Sequence, residues 1–279
     1  MTRRAIVGRG RLLTMAGART GATEAIDGPW VLVLEGERIV EVRAGALATG
    51  DPEVVEDVGT ALVTPGLVDS HTHLIYAGDR SDEVAARTRG ARYTGGGILR
   101  TVAATVDAGD DELARETRLR LLAAHARGTS TIEVKSGYGL SGTEEQRLLR
   151  CIADAAEGLP MHVRRTYLGA HAVPQRSTPA QQAEAVMQAL PDVAKLADHV
   201  DVFCEPGLFD LELTRDIAVS AAAHGLSLKL HADQLERSGA ALLGAELGAL
   251  SVNHLEQIDS TDVVALAASE TVAPILPGP

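Results

Sequence analysis

Aromatic side chains make up only 3% of this 279-residue chain, so its 45% hydrophobic content must fill a core with Ala, Leu and Val. Cysteine is scarcer still. Cys151 and Cys204 stand far apart with no C-x-x-C pattern, which argues against a disulfide framework or a thiolate metal site and fits a reducing cytoplasm. No apolar stretch approaches a membrane span, and the basic opening MTRRAIVGRGRLLTM lacks the apolar core of a secretion signal. Basic charge is also short. With 26 Lys and Arg against 38 Asp and Glu, the net charge is -12 and no basic stripe offers a nucleic-acid surface. These absences predict a cytoplasmic protein with small-molecule partners, no nucleic acid and no membrane.

What is present is order in the hydrophobic pattern. Through residue 57 the chain reads as a small β-domain, in which VLVLE (31–35) and RIVEV (38–42) flank the two-residue turn Gly36-Glu37. From residue 58 onward, strands alternate with helices. The candidate strands are 61–68, 130–134, 163–170, 200–205, 227–231, 250–254 and 271–276, seven in all. Start and stop signals separate them: Asp110 before one helix and Gly128 after it, Thr143 with Gln146 as a capping box closed by Gly158, and Pro179 in the first turn of a third. Strand and helix in alternation predict parallel βα units, seven of the eight that close a barrel.

In such a barrel, chemistry gathers where strands end, and histidines stand at those places. His71 and His73 form an H-x-H pair after the first strand, so their side chains leave on the same side. With His231, in KLHADQ, they make a three-histidine site for a divalent metal with a fourth position open to water. His254, in VNHLE, is placed to polarise a carbonyl or relay a proton, and His171, in LGAH, faces the same mouth. Gln234 offers a donor and an acceptor but cannot be a general base. Arg80 suits a carboxylate and Tyr138 supplies a phenolic hydroxyl. The Gly95-Gly96-Gly97 run lacks a phosphate-loop pattern and reads as a flexible loop near the mouth. His125, His162, His199 and His224 fall at the opposite end and read as structural.

The segments PGLVDSHTHLIYAGDR, EVKSGYGL, TYLGAHAVP, DVFCEPG, KLHADQ and NHLE resemble the amidohydrolase superfamily, and within it the imidazolonepropionase family. The resemblance implies an α/β fold, a (β/α)8 TIM-like barrel of the amidohydrolase type, here incomplete with seven of eight strands, and part of a small β-sandwich domain. It implies hydrolysis of the ring C-N bond of 4-imidazolone-5-propanoate to N-formimidoyl-L-glutamate by a metal-activated water, in histidine degradation. His71, His73 and His231 match the family's ligands to one zinc or iron ion. Arg80, Tyr138, His171 and Gln234 match substrate contacts, and His254 matches the histidine that assists at the reacting carbonyl. A homodimer is compatible with the pattern. Family members continue beyond the residue matching Pro279 to an eighth strand and a metal-binding Asp. The expectation is therefore a fragment or a shortened relative of low activity, the alternative being a non-catalytic remnant that binds metal or ligand. A hydantoinase or dihydroorotase type is weaker, because many such enzymes use a lysine on the fourth strand and residues 200–205 contain none.

Overall fold

The computed structural model describes residues 3–16, 24–91 and 97–276. Its contacts divide the chain into two units, Met1–Gly66 and Leu67–Pro279.

In the first unit, β1 (Arg3–Gly8), β4 (Trp30–Glu35), β5 (Arg38–Ala44) and β6 (Glu53–Asp57) form a sheet in the order β5-β4-β1-β6. Two short strands, β2 (Arg11–Leu13) and β3 (Ala25–Asp27), pair beside it. The hairpin at Gly36-Glu37 forms as the sequence predicts, with Glu35 opposite Arg38 and Gly36 at φ 62°. Alternation along β4 separates two small cores. Val31 and Val33 pack with Ala5, whereas Trp30 and Leu32 pack with Leu12.

Gly8 lets the indole approach. A Cβ at that position would lie 2.3 Å from Trp30 Cζ2, and the indole is itself held by a 3.0 Å hydrogen bond from Nε1 to the Gly10 carbonyl. Gly8→Ala should therefore destabilise this unit by about 1–3 kcal/mol through overpacking. Fluorescence of the chain's one tryptophan during chemical denaturation measures this directly; an unchanged midpoint would mean the indole moves aside without cost.

The second unit contains a parallel sheet of β7 (Leu67–Asp69), β8 (Thr129–Lys135), β9 (His162–Ala170), β10 (His199–Cys204), β11 (Ser227–Ala232) and β12 (Ser251–His254). Neighbours in the sheet are neighbours in sequence, so it curls as an open part of a barrel. Helices α1 (Ser81–Arg87), α2 (Ile98–Asp107) and α3 (Asp110–His125) lie between β7 and β8. Single helices follow the next strands: α4 (Gly142–Ala156), α5 (Pro179–Val193), α6 (Leu211–Ala223), α7 (Ala240–Glu246) and α8 (Ser260–Ala267).

Three expectations are corrected. The first parallel strand is shorter than residues 61–68, because Val63 exchanges hydrogen bonds with Arg11 and Leu13 and Pro65 interrupts the run. The seventh strand, expected at 271–276, is reduced to isolated bridges from Val272 to Ser251 and from Ile275 to His254. The cap of helix α4 lies two residues before the expected Thr143. Ser141 has extended backbone and its oxygen accepts from Glu144 N at 3.2 Å, leaving Thr143 already helical. The capping box that does form is Thr178 with Gln181, ahead of Pro179.

Strand alternation gives the sheet two unlike faces. Ile132, Val134, Tyr167, Val200, Val202, Leu230 and Val252 belong to the main apolar core with buried helix residues such as Leu148, Ile152, Val186 and Ile217. The other face carries Glu133, Lys135, Thr166, Asp201, Lys229 and His231, all buried. Burying that many polar groups is costly unless each is paired.

Candidate active site

The site lies past the C-terminal ends of the parallel strands, around a cavity of about 700 Å³. His71 and His73 sit just beyond β7 on a segment held by its neighbours rather than by strand pairing. The Thr72 hydroxyl donates to the Glu133 carbonyl, and Lys135 N donates to the Thr72 carbonyl at 3.0 Å. His231 projects from β11, and its Nε2 lies 3.2 Å from His73 Nε2. One nitrogen from each of the three rings falls within 4.8 Å of the others. Two zinc-nitrogen bonds of about 2.0–2.1 Å at a tetrahedral angle span about 3.3 Å, so the spacing suits one ion. Among the described residues no carboxylate joins the group.

All eight residues selected from the sequence line the same cavity: His71, His73, Arg80, Tyr138, His171, His231, Gln234 and His254. His171 stacks on His73 with ring centroids 5.0 Å apart, and the Tyr138 ring lies 5.3 Å from that of His171. His254 closes the opposite side, 5.2 Å from His71 and 5.1 Å from His231. Its backbone is left-handed, φ 79°, followed by Leu255 at φ 69°. Such strain persists only where the surroundings enforce it, and here Leu255 N is tied to the Ala232 carbonyl at 3.1 Å. Of the glycine-loop prediction, Gly95 and Gly96 lie outside the described residues, and Gly97 caps α2. His224 bonds the Ser220 carbonyl and His125 contacts that of Thr129, in keeping with structural roles.

Burial keeps the cluster neutral and hence able to ligate. It pushes His171 down to about 4, against the opposing Gly137 carbonyl, and His231 down to about 3, against Asp201. His71 and His73 are lowered further by burial and by neighbouring rings, and burial lowers His254 despite Glu256 at 3.3 Å. Burial also pushes the two thiols, Cys151 and Cys204, up to about 11, which leaves them unreactive.

Sequence reading missed the carboxylates that shape the mouth. Glu145 on α4 accepts from the backbone N-H groups of Gly137, Gly139 and Leu140 at 2.7–2.8 Å, holding the loop that presents Tyr138. Gly137 in turn receives His171 Nδ1 at 2.8 Å on its carbonyl. Glu205 gathers Gln234 N at 2.6 Å and Leu235 N at 3.0 Å. Glu83 pairs with Arg80, Oε2 to Nε 3.1 Å. The signal for the buried charges beneath the histidines was available in I-E-V-K, V-D-V and L-K-L-H, where charges alternate with branched apolar residues inside strands.

The second unit is thus a curled parallel α/β sheet with histidines converging at its C-terminal mouth. Solved structures show the same fold. A triazine hydrolase variant superposes with a TM-score of 0.73 at 14% identity, over 99% of this chain and 66% of its own. Guanine deaminase from C. acetobutylicum gives 0.59 at 11%, over 98% and 67%. An atrazine chlorohydrolase mutant from Arthrobacter aurescens, complexed with zinc, gives 0.64 at 14%, over 98% and 65%. No protein-family model matches the chain.

Curated relatives narrow the class. Imidazolonepropionase of Stenotrophomonas maltophilia is 40% identical over 89% of this chain and 67% of its own length. That of Erwinia tasmaniensis is 41% identical over 96% and 68%, and that of Sphingopyxis alaskensis 42% over 96% and 68%. The chain belongs to the imidazolonepropionase family, spanning about two thirds of the length of these relatives. That membership makes it a hydrolase acting on carbon-nitrogen bonds. No helix among the described residues is long and apolar enough to cross a membrane.

Proposed function

We propose that the site hydrolyses the ring C-N bond of 4-imidazolone-5-propanoate to give N-formimidoyl-L-glutamate, with one zinc or iron ion held by His71, His73 and His231. The observation that carries this is the convergence of all eight selected residues on one cavity in a chain 40–42% identical to imidazolonepropionases. A divalent ion on the three imidazoles supplies Lewis acidity and lowers the pKa of bound water from 15.7 to about 7.

The protein's own groups do the rest. His254, neutral and beside His71 and His231, is positioned to hold a proton at the reacting carbonyl oxygen and return it. One water is consumed: its oxygen ends on the carbonyl carbon, the ring C-N bond breaks and the released nitrogen takes a proton. Tyr138 and His171 hold the ring. Gln234 can donate and accept, but it cannot take the proton as a carboxylate would.

Arg80 answers a specific need, because an anionic substrate entering a protein of net charge -12 requires a local cation. The guanidinium faces the cavity with Glu83 beside it, so the substrate's propionate takes over hydrogen bonds that Glu83 now receives. Arg80→Lys should raise KM about 10-fold with a much smaller change in kcat, since a bidentate fork becomes a point charge. An unchanged KM removes Arg80 from the site.

The test of the function itself is incubation with zinc or ferrous ion while imidazolone absorbance and product are followed. Metal-dependent formation of N-formimidoyl-L-glutamate supports the reading. A second reading, metal or ligand binding without turnover, is favoured by the lack, among the described residues, of a carboxylate that joins the three histidine nitrogens as a fourth ligand. Stoichiometric metal without product would establish it.

A further inference from the structure

Beneath the three histidines runs a chain of four buried charges that the reaction above leaves unused. Lys135 Nζ lies 2.6 Å from Asp201 Oδ2 and forms an ion pair with Glu133 Oε2 at 2.7 Å. Glu133 Oε1 meets a second ammonium, Lys229 Nζ, at 2.6 Å and accepts from the Thr166 hydroxyl. Two carboxylates balance two ammoniums. The ends of this chain meet the histidine cluster. Asp201 Oδ1 lies 3.0 Å from His231 Nδ1 and accepts from His231 N at 3.1 Å. Lys229 Nζ donates at 2.8 Å to the carbonyl of Ser70, the residue before His71.

Stability does not account for this arrangement. Taking four charges out of water costs several kcal/mol for each ion, and apolar residues of similar volume commonly serve a core as well or better. Orientation does account for it. A neutral imidazole that ligates through one nitrogen must carry its proton on the other, and a carboxylate acceptor there fixes both tautomer and ring angle. His231 Nδ1 faces Asp201 while its Nε2 faces His73, which is the required division.

We propose that Asp201 and Lys135 are positioning residues for metal capture: Asp201 holds His231 with its proton on Nδ1 and its Nε2 lone pair toward His73, and Lys135 fixes Asp201 in place. This rests on the reading of His71, His73 and His231 as a metal site. The carboxylate has no freedom to rotate away, because Oδ2 is engaged by Lys135 and Oδ1 by two groups of His231.

Removing one buried charge alone risks unfolding, so the test uses charge-balanced pairs checked by thermal melts. Asp201→Leu with Lys135→Met removes the acceptor, whereas Asp201→Asn with Lys135→Met keeps an oxygen in its place. Nitrogen-proton NMR of the metal-free protein at neutral pH should show His231 protonated on Nδ1 in the parent and in the Asn pair, and shifted toward Nε2 in the Leu pair. Zinc affinity by chelator competition should fall about 10- to 100-fold in the Leu pair and recover in the Asn pair. A Leu pair with the parent's tautomer or zinc affinity overturns the proposal, as does an Asn pair no better than the Leu pair. A parent that binds no zinc overturns the metal-site reading instead, and the metal-free NMR measurement still decides this one.

Discussion

His231→Ala should cost the protein its tightly held metal, weakening zinc affinity by roughly 10²-fold or more while leaving the fold intact. Four-ligand zinc sites gain about 10–16 kcal/mol in total, or roughly 3 kcal/mol per ligand. A three-histidine site has none in reserve. His73→Ala should do the same, because its Nε2 is the atom that faces His231 Nε2 at 3.2 Å. His171→Ala is the informative control. Its ring stacks on His73 but its Nδ1 is committed to the Gly137 carbonyl, so its loss should impair substrate handling and leave metal content unchanged. The fold should survive all three: His73 Nδ1 has no hydrogen-bond partner among the described residues, and His231→Ala and His171→Ala each give up one side-chain hydrogen bond, to Asp201 and to the Gly137 carbonyl, at a cost of about 1–3 kcal/mol. Metal analysis after dialysis measures the outcome. If His231→Ala retains the parent's zinc, the three histidines are not the site.

The histidines were legible because strand geometry is local. H-x-H places two rings on one side of a chain end, and the regular alternation of strand and helix that precedes His171, His231 and His254 announces parallel strands whose ends share one face. The limits of β7 were less legible, since apolar residues flank Thr64-Pro65-Gly66 on both sides and only the partner strands decide that Val63 bonds with Arg11 and Leu13 while Leu67 joins the parallel sheet. The seventh strand failed for a related reason. Val272 and Ile275 have strand-like character, yet each makes only an isolated bridge, and Ile275 is 79% exposed. Carboxylates such as Glu145 and Glu205 were invisible, because a residue that gathers backbone N-H groups from a loop is indistinguishable in sequence from a solvated one. Glu133, Lys135, Asp201 and Lys229 were readable in principle, since charges at alternate positions of apolar strands belong to an inner face.

Stability of the metal-free protein should fall steeply as pH drops below 6.5, and the same rings explain why. Burial pushes His171 down to about 4 and His231 down to about 3, and lowers His71, His73 and His254 as well. In the unfolded chain these rings titrate near 6.5. Above that pH both states are neutral and the difference contributes nothing to the slope. Below it the unfolded state binds protons that the folded state refuses, so stability is lost as pH falls toward the folded values. Each ring contributes up to about 1.4 kcal/mol per pH unit, and His171 with His231 together remove about 5 kcal/mol by pH 4.5. That is comparable with the whole stability of many domains. Glu145 and Glu205, whose carboxyls burial raises, return part of this near the low end of the range. Zinc should steepen the profile further, because protons compete for the same nitrogens. Chemical denaturation at half-unit intervals from pH 7 to 4.5 measures the slope, and His171→Asn should reduce it by about one ring's share, about 1.4 kcal/mol per pH unit. A flat profile between pH 6.5 and 5 would mean that the folded protein accepts protons on these rings, and the neutral, ligation-ready cluster would then be wrong.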